Sequence, residues 1–243
     1  IYAQFEPDAY DGQDRYFTGG VEEHSSDEGT LEIDYYRAPD GTVHFSRTPD
    51  PATKYVETRN EFGIREAEWY LCSRDTLAPC IMEPYEYEIE EGYSELMTSL
   101  VVPLLKDGEF AGVAGVDINL STLQDTIARV SRDLFDGQSR VTLLSAKGLI
   151  AASSQYSDKL GRPLAEALPE LASELVELHR NGGRYDDGKT LAVSYPVEIG
   201  QANTQWSLLI ELPREAALAS VGEITGLVSE EIAANWPSIP TPN

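Results

Sequence analysis

The sequence predicts an α+β fold made of two modules, each an antiparallel sheet with flanking helices. Three observations carry that expectation. Short runs of alternating or β-branched residues recur between turn-forming Pro, Gly, Asp and Asn. Two stretches, Ser121 to Leu134 and Leu164 to Arg180, instead place apolar residues at helical spacing. The length of 243 residues suits two modules of about 120 residues, and the strand-then-helix plan occurs twice, in architecture rather than in residue identity.

Along the chain, Ile1 to Phe5 alternates as a strand and Glu6 to Gly12 breaks it with turn chemistry. Gly19 to Gly29 is polar and reads as a loop. Leu31, Ile33 and Tyr35 alternate with Glu32, Asp34 and Tyr36 in a half-buried strand that ends at Pro39-Asp40-Gly41, with Thr42 to Phe45 as its hairpin mate. Asp50 to Phe62 reads as a short helix. Trp69 to Cys72 and Cys80 to Tyr85 read as the two arms of a hairpin. Glu95 to Leu105 and Phe110 to Ile118 are strands joined by a tight turn at Asp107-Gly108. The helix from Ser121 carries Leu123, Ile127, Val130 and Leu134 on one stripe, with Ser121 as its N-cap.

In the second half, Arg140 to Leu144 and Leu149 to Ser153 flank Ala146-Lys147-Gly148, and Thr190 to Pro196 and Gln205 to Leu212 are strand-like. Glu215 to Ala234 reads as an amphipathic helix interrupted by Gly222 and Gly226, and the Pro-rich segment from Trp236 to Asn243 as a tail. The expected division is 1–125, 126–215 and a terminal helix and tail over 216–243.

Forty-two acidic residues against 18 basic ones give a formal net charge of −24. Such a field repels nucleic acid and anionic membrane surfaces and concentrates small cations. Its simplest meaning is a solvated acidic surface that keeps the protein soluble. No run approaches the roughly 18 apolar residues that span a bilayer, and no leader opens the chain. Because Ile1 rather than Met comes first, the expectation is a processed or excised product whose membrane segments lie elsewhere. Cys72 and Cys80 are the only cysteines. Opposed across a hairpin they reach disulfide distance, which suits a periplasmic or extracellular compartment; two buried free thiols remain equally open.

The sequence shows no nucleophile elbow, phosphate loop or dinucleotide fingerprint. His24, His44 and His179 are scattered without metal-ligand spacing and read as surface residues. Asp11-Gly12-Gln13-Asp14 lacks the alternating oxygen ligands of a calcium loop and reads as a capped turn. No cofactor or metal is called for. What stands out is Glu68-Trp69-Tyr70, then Glu83-Pro84-Tyr85-Glu86-Tyr87, then Gly112 to Ile118 around Asp117. These segments can set aromatic rings and carboxylates around one pocket. Asp117 lies between Val116 and Ile118, where an unpaired carboxylate is expensive. A partner is therefore expected, either a ligand amine or a backbone donor. The plainer alternative is that Trp69 and Tyr85 are ordinary sheet-face core residues.

The order Glu6 to Asp14, Glu68-Trp69-Tyr70, Glu83-Pro84-Tyr85, Met97-Thr98-Ser99 through Val102-Pro103, and Gly112 to Ile118 resembles the membrane-distal module of double Cache sensor domains. The stretches Val141 to Gly148, Leu160 to Leu164 and Trp206 to Pro213 resemble the membrane-proximal module. The resemblance spans nearly the whole chain and implies two PAS-like Cache modules in an extracytoplasmic, non-enzymatic sensor of a bacterial chemoreceptor or histidine kinase. It further implies that Trp69, Tyr85 and Asp117 point into the distal pocket, with Tyr70, Glu68 and Tyr87 nearby, and that the partner is a small molecule. A homodimer in the full-length receptor would fit such a protein.

Two departures qualify the resemblance. The long helix that normally opens the family is not present before Ile1. Amino-acid-binding members carry an Arg two residues before the Trp, where this chain has Ala67 and the nearest guanidinium is Arg65. Without that bidentate clamp for a carboxylate, an amine or other cation held by aromatic faces and Asp117 is favoured over an amino acid. A secreted structural domain and a hydrolase using Glu68 and Asp117 are the competing readings.

Overall fold

A computed structural model describes residues 1–219 apart from 39, 91, 170, 171 and 203. Two antiparallel sheets appear. The first contains β1 (Tyr2–Phe5), β2 (Glu32–Arg37), β3 (Val43–Phe45), β4 (Cys80–Ile81), β5 (Tyr85–Glu90), β6 (Tyr93–Lys106) and β7 (Glu109–Asn119), in the order β3-β2-β1-β7-β6-β4, with β5 also paired to β6. The second contains β8 (Arg140–Leu144), β9 (Ile150–Ser153), β10 (Gly183–Asp186), β11 (Thr190–Val197) and β12 (Trp206–Pro213), in the order β10-β11-β12-β8-β9. Helix α1 (Glu68–Thr76) packs on the first sheet and α2 (Leu120–Asp133) joins the halves; α3 (Leu164–Ala167) and α4 (Ala172–Asn181) belong to the second.

Most expected strands are present. The β6–β7 turn has φ of 54° at Asp107 and 87° at Gly108, a left-handed pair that matches strand twist in two-residue hairpins. The helical pattern from Leu164 to Arg180 is split into α3 and α4 around Pro169, whose ring and missing N–H end a helix. Helix α2 begins one residue before Ser121, so Asn119 holds the N-cap position and no side chain makes a capping bond. Between Asp50 and Phe62 only Pro51–Tyr55 is helical, as a 3-10 turn. Strand β10 was not expected. The terminal helix is seen over residues 214–219; its continuation and the Pro-rich tail lie outside the described residues.

The main correction concerns Trp69 to Cys72, which is helix and not a hairpin arm. Aromatic residues and Cys make the run look strand-like, and Ala67 at the N-cap position makes no side-chain capping bond that would announce a helix. Cys72 and Cys80 do pair in a disulfide, with Cα atoms 6.3 Å apart, but the bridge fastens α1 to β4 rather than strand to strand.

The face of β2 is also the reverse of a simple hydrophobic alternation. Glu32 is buried, with 1% exposure, whereas Tyr35 is exposed. Register explains it: Glu32 and Asp34 lie opposite Gln4 and Tyr2 of β1, on the face covered by α1 and the loop before it. Beneath that cover Lys54, with no exposure, donates to Glu32 Oε1 at 2.5 Å and to the Phe5 carbonyl at 2.5 Å. Its ammonium also stands 5.4 Å from the Tyr70 ring. Thr30 donates to the same Glu32 oxygen at 2.8 Å. Burial outweighs the ammonium's pull and holds the Glu32 carboxyl above its ordinary range.

The halves meet through an apolar cluster in which Ile81 and Leu120 pack with Ala151 and Trp206. A polar link crosses beside it. The Glu83 carboxylate accepts from the Ser145 hydroxyl and, at 3.0 Å, from the Lys147 amide, both in the β8–β9 turn. The Ala146 carbonyl of that turn meets His179 Nε2 at 3.3 Å, and the other ring nitrogen lies 2.6 Å from Ser207 Oγ. His179 is thus half-buried and bonded on both sides, unlike the surface residue expected, while His24 and His44 are exposed.

Candidate functional site

On the covered face of the first sheet lies a cleft of about 1200 Å³. Its floor is β1, β2 and β7; its sides come from residues 58–69 and from the segment running from Met82 into β5. Aromatic edges and carboxylates dominate the lining. The centre of the floor is Tyr2, whose ring lies across β7 at Gly115. A Cβ at Gly115 would sit 2.3 Å from Cζ of Tyr2, so only glycine admits the ring. Trp69 meets that ring edge-on, with centroids 5.3 Å apart at 85°.

Beyond Tyr2, the Asp117 Oδ1 atom accepts from Ser99 Oγ at 2.5 Å and from the Tyr85 hydroxyl at 3.1 Å, and these two hydroxyls lie 2.6 Å apart. The partner expected for Asp117 is therefore a pair of side-chain hydroxyls, which leaves Oδ2 open. Burial, followed by the Asp117 charge, pushes the Tyr85 phenol up, so it stays a neutral donor. Burial likewise raises the phenols of Tyr2 and Tyr87.

Of the six expected site residues, Glu68, Trp69, Tyr85, Tyr87 and Asp117 line the cleft and Tyr70 does not. Tyr70 is fully buried and packs with Tyr2, Val101 and Val113. Its hydroxyl donates to Glu6 Oε1 at 2.7 Å. One helical step of about 100° turns it from the cleft into the core. Glu68 is engaged as well: Arg65 Nε donates to it at 2.6 Å and Arg65 also reaches Asp75 at 2.7 Å. The guanidinium nearest the missing clamp position is thus held by two carboxylates of the protein. The other cleft arginines, Arg37 and Arg59, donate to the carbonyls of Gly41 and Gly63.

Sequence reasoning missed Tyr2, Ser99 and Asp34, all of which share this face. Asp34 is the most consequential of them. Burial raises its carboxyl to about 6, with the chain's terminal amine pulling it down and Asp117 pushing it up. An acid raised from an unfolded value of about 4 stabilises the fold fully below that value, and the contribution is lost as pH rises through 6. Asp34→Asn is therefore expected to melt above the parent near pH 7.5 and to lose that advantage by about pH 4.5. Thermal melts across the range check this; a constant difference between the proteins at every pH would show that Asp34 is not strained.

Residues 23–125 match the family described as methyl-accepting chemotaxis protein-like, first PDC sensor domain. Over 220 residues the chain is 33% identical to methyl-accepting chemotaxis protein TlpQ of Pseudomonas aeruginosa, covering 90% of this chain and 30% of that protein. Across 91% of its length it superposes, with a TM-score of 0.68 and 25% identity, on 75% of the extracellular domain assigned to a histidine kinase, mmHK1S-Z3. The chain is a double Cache-like sensor domain that matches those of methyl-accepting chemotaxis proteins and sensor histidine kinases. The periplasmic sensory domain of the Campylobacter jejuni chemoreceptor Tlp1 shares the fold at 14% identity, with a TM-score of 0.58 over 89% of this chain and 73% of its own. This module is a sensor domain of the extracytoplasmic type found in membrane receptors. None of its helices among the described residues is long and apolar enough to cross a membrane.

Proposed function

We propose that the domain is the ligand-binding part of a chemotaxis receptor and that its cleft takes a small amine. The observation that carries this reading is Asp117, which lines a cleft shared with Trp69 and Tyr87 and whose hydrogen bonds from Ser99 and Tyr85 go to Oδ1 and not to Oδ2. A desolvated ammonium needs charge-assisted acceptors, and aromatic faces add roughly 0.5–2 kcal/mol. An amino acid is the weaker fit, because its carboxylate would need a free guanidinium and Arg65 is held by Glu68 and Asp75. Binding would act by its different affinity for two receptor conformations.

A thermal-shift panel of alkylamines, amino acids and dicarboxylates tests the reading. Amines are expected to raise the melting temperature in proportion to the logarithm of concentration. Stabilisation by dicarboxylates with no response to any amine would overturn it.

A further inference from the structure

Resting on that amine reading, we infer that the ligand is a dication, with Asp34 as a second anionic contact at the far side of the same site. Asp34 is opposite Tyr2, and Tyr2 is opposite Gly115, so Asp34 and Asp117 stand on one sheet face, two strands and two residues apart. Strand spacing of about 4.8 Å and a rise of about 3.4 Å per residue separate their Cα atoms by on the order of 12 Å. One ammonium, which needs an oxygen at about 2.8 Å, cannot serve both acids.

Neither acid has a bonded cation: the chain's terminal amine, which donates to the Tyr35 carbonyl, pulls the Asp34 carboxyl down without offsetting its burial. Among the described residues no hydrogen bond reaches the Asp34 carboxylate or Asp117 Oδ2. The cleft arginines are turned to backbone carbonyls or, in Arg65, to Glu68 and Asp75. A monoamine on Asp117 would therefore leave the part-buried Asp34 without a hydrogen-bonded partner, whereas an α,ω-diamine matches both acids and lays its apolar stem across the ring of Tyr2.

Calorimetric titration of the domain with butylamine and with α,ω-diamines of three to six carbons tests this. At least one diamine is expected to bind the parent 10-fold or more tightly than butylamine. Asp34→Asn should bring that diamine down to the butylamine level while butylamine binding persists, and Asp117→Asn should weaken both. Butylamine binding with no diamine advantage, or an advantage that survives Asp34→Asn, would overturn the dication assignment alone. Failure of every amine to bind would instead remove the amine reading on which it rests. Melts of both variants confirm folding.

Discussion

Asp117→Asn is expected to cost on the order of 100-fold or more in affinity for any amine that binds, the scale set by removing one member of a desolvated, hydrogen-bonded charge pair. The change is nearly isosteric, and an amide oxygen can still accept from Ser99 and Tyr85, so the scaffold around the site is retained. What is lost is the negative charge at Oδ2. Titration of the variant beside the parent, with a thermal melt to show cooperative unfolding, gives the answer. Equal affinity in the two proteins would show that Asp117 orders Ser99 and Tyr85 and does nothing for the ligand.

Lys54→Met carries the largest expected effect on stability. Lys54 and Glu32 are both buried at 2.5 Å, and deleting one member of such a pair typically costs about 3–5 kcal/mol because the other charge is left unmatched. Glu32 already sits above its ordinary pKa, so without Lys54 it takes up a proton more readily. The deficit should shrink as pH falls. Combining Lys54→Met with Glu32→Gln is expected to recover part of the loss, since an uncharged polar pair no longer leaves a bare carboxylate in the core. Denaturant titrations of the two variants check both statements; additive losses in the double variant would mean that the pair is not coupled.

Much of this fold is legible in the residues. Alternation in β2, the apolar runs of β6 and β7 and the Asp107-Gly108 turn are local signals, and the long hairpin follows from them. Helix α2 is equally plain in its stripe of Leu123, Ile127 and Val130. The start of α1 is not, because the same residues that favour strands, Trp69, Tyr70 and Cys72, are placed there by packing on the sheet and by the bond to Cys80. Reading that segment as a strand hid the fact that, of Trp69 and Tyr70, only Trp69 lines the cleft.

The site was half visible. Trp69, Tyr85 and Asp117, named from the sequence, line one cleft. Tyr2 and Asp34 stayed hidden because their roles depend on which strand lies beside which. Nothing local shows that β1 runs between β2 and β7, and only that order brings Asp34 to the face of Asp117. The Glu32–Lys54 pair is hidden in the same way, its members being two charges 22 positions apart in an acidic sequence.

Glu83 stands at once in the wall of the cleft and against the β8–β9 turn, where its carboxylate is tied to Ser145 and to the Lys147 amide. A displacement of residues 82–84 must therefore either drag that turn along or break both bonds. Since the turn is tied onward to α4 and β12 through His179, Glu83 gears the cleft wall to the second sheet, alongside the apolar contact between the halves.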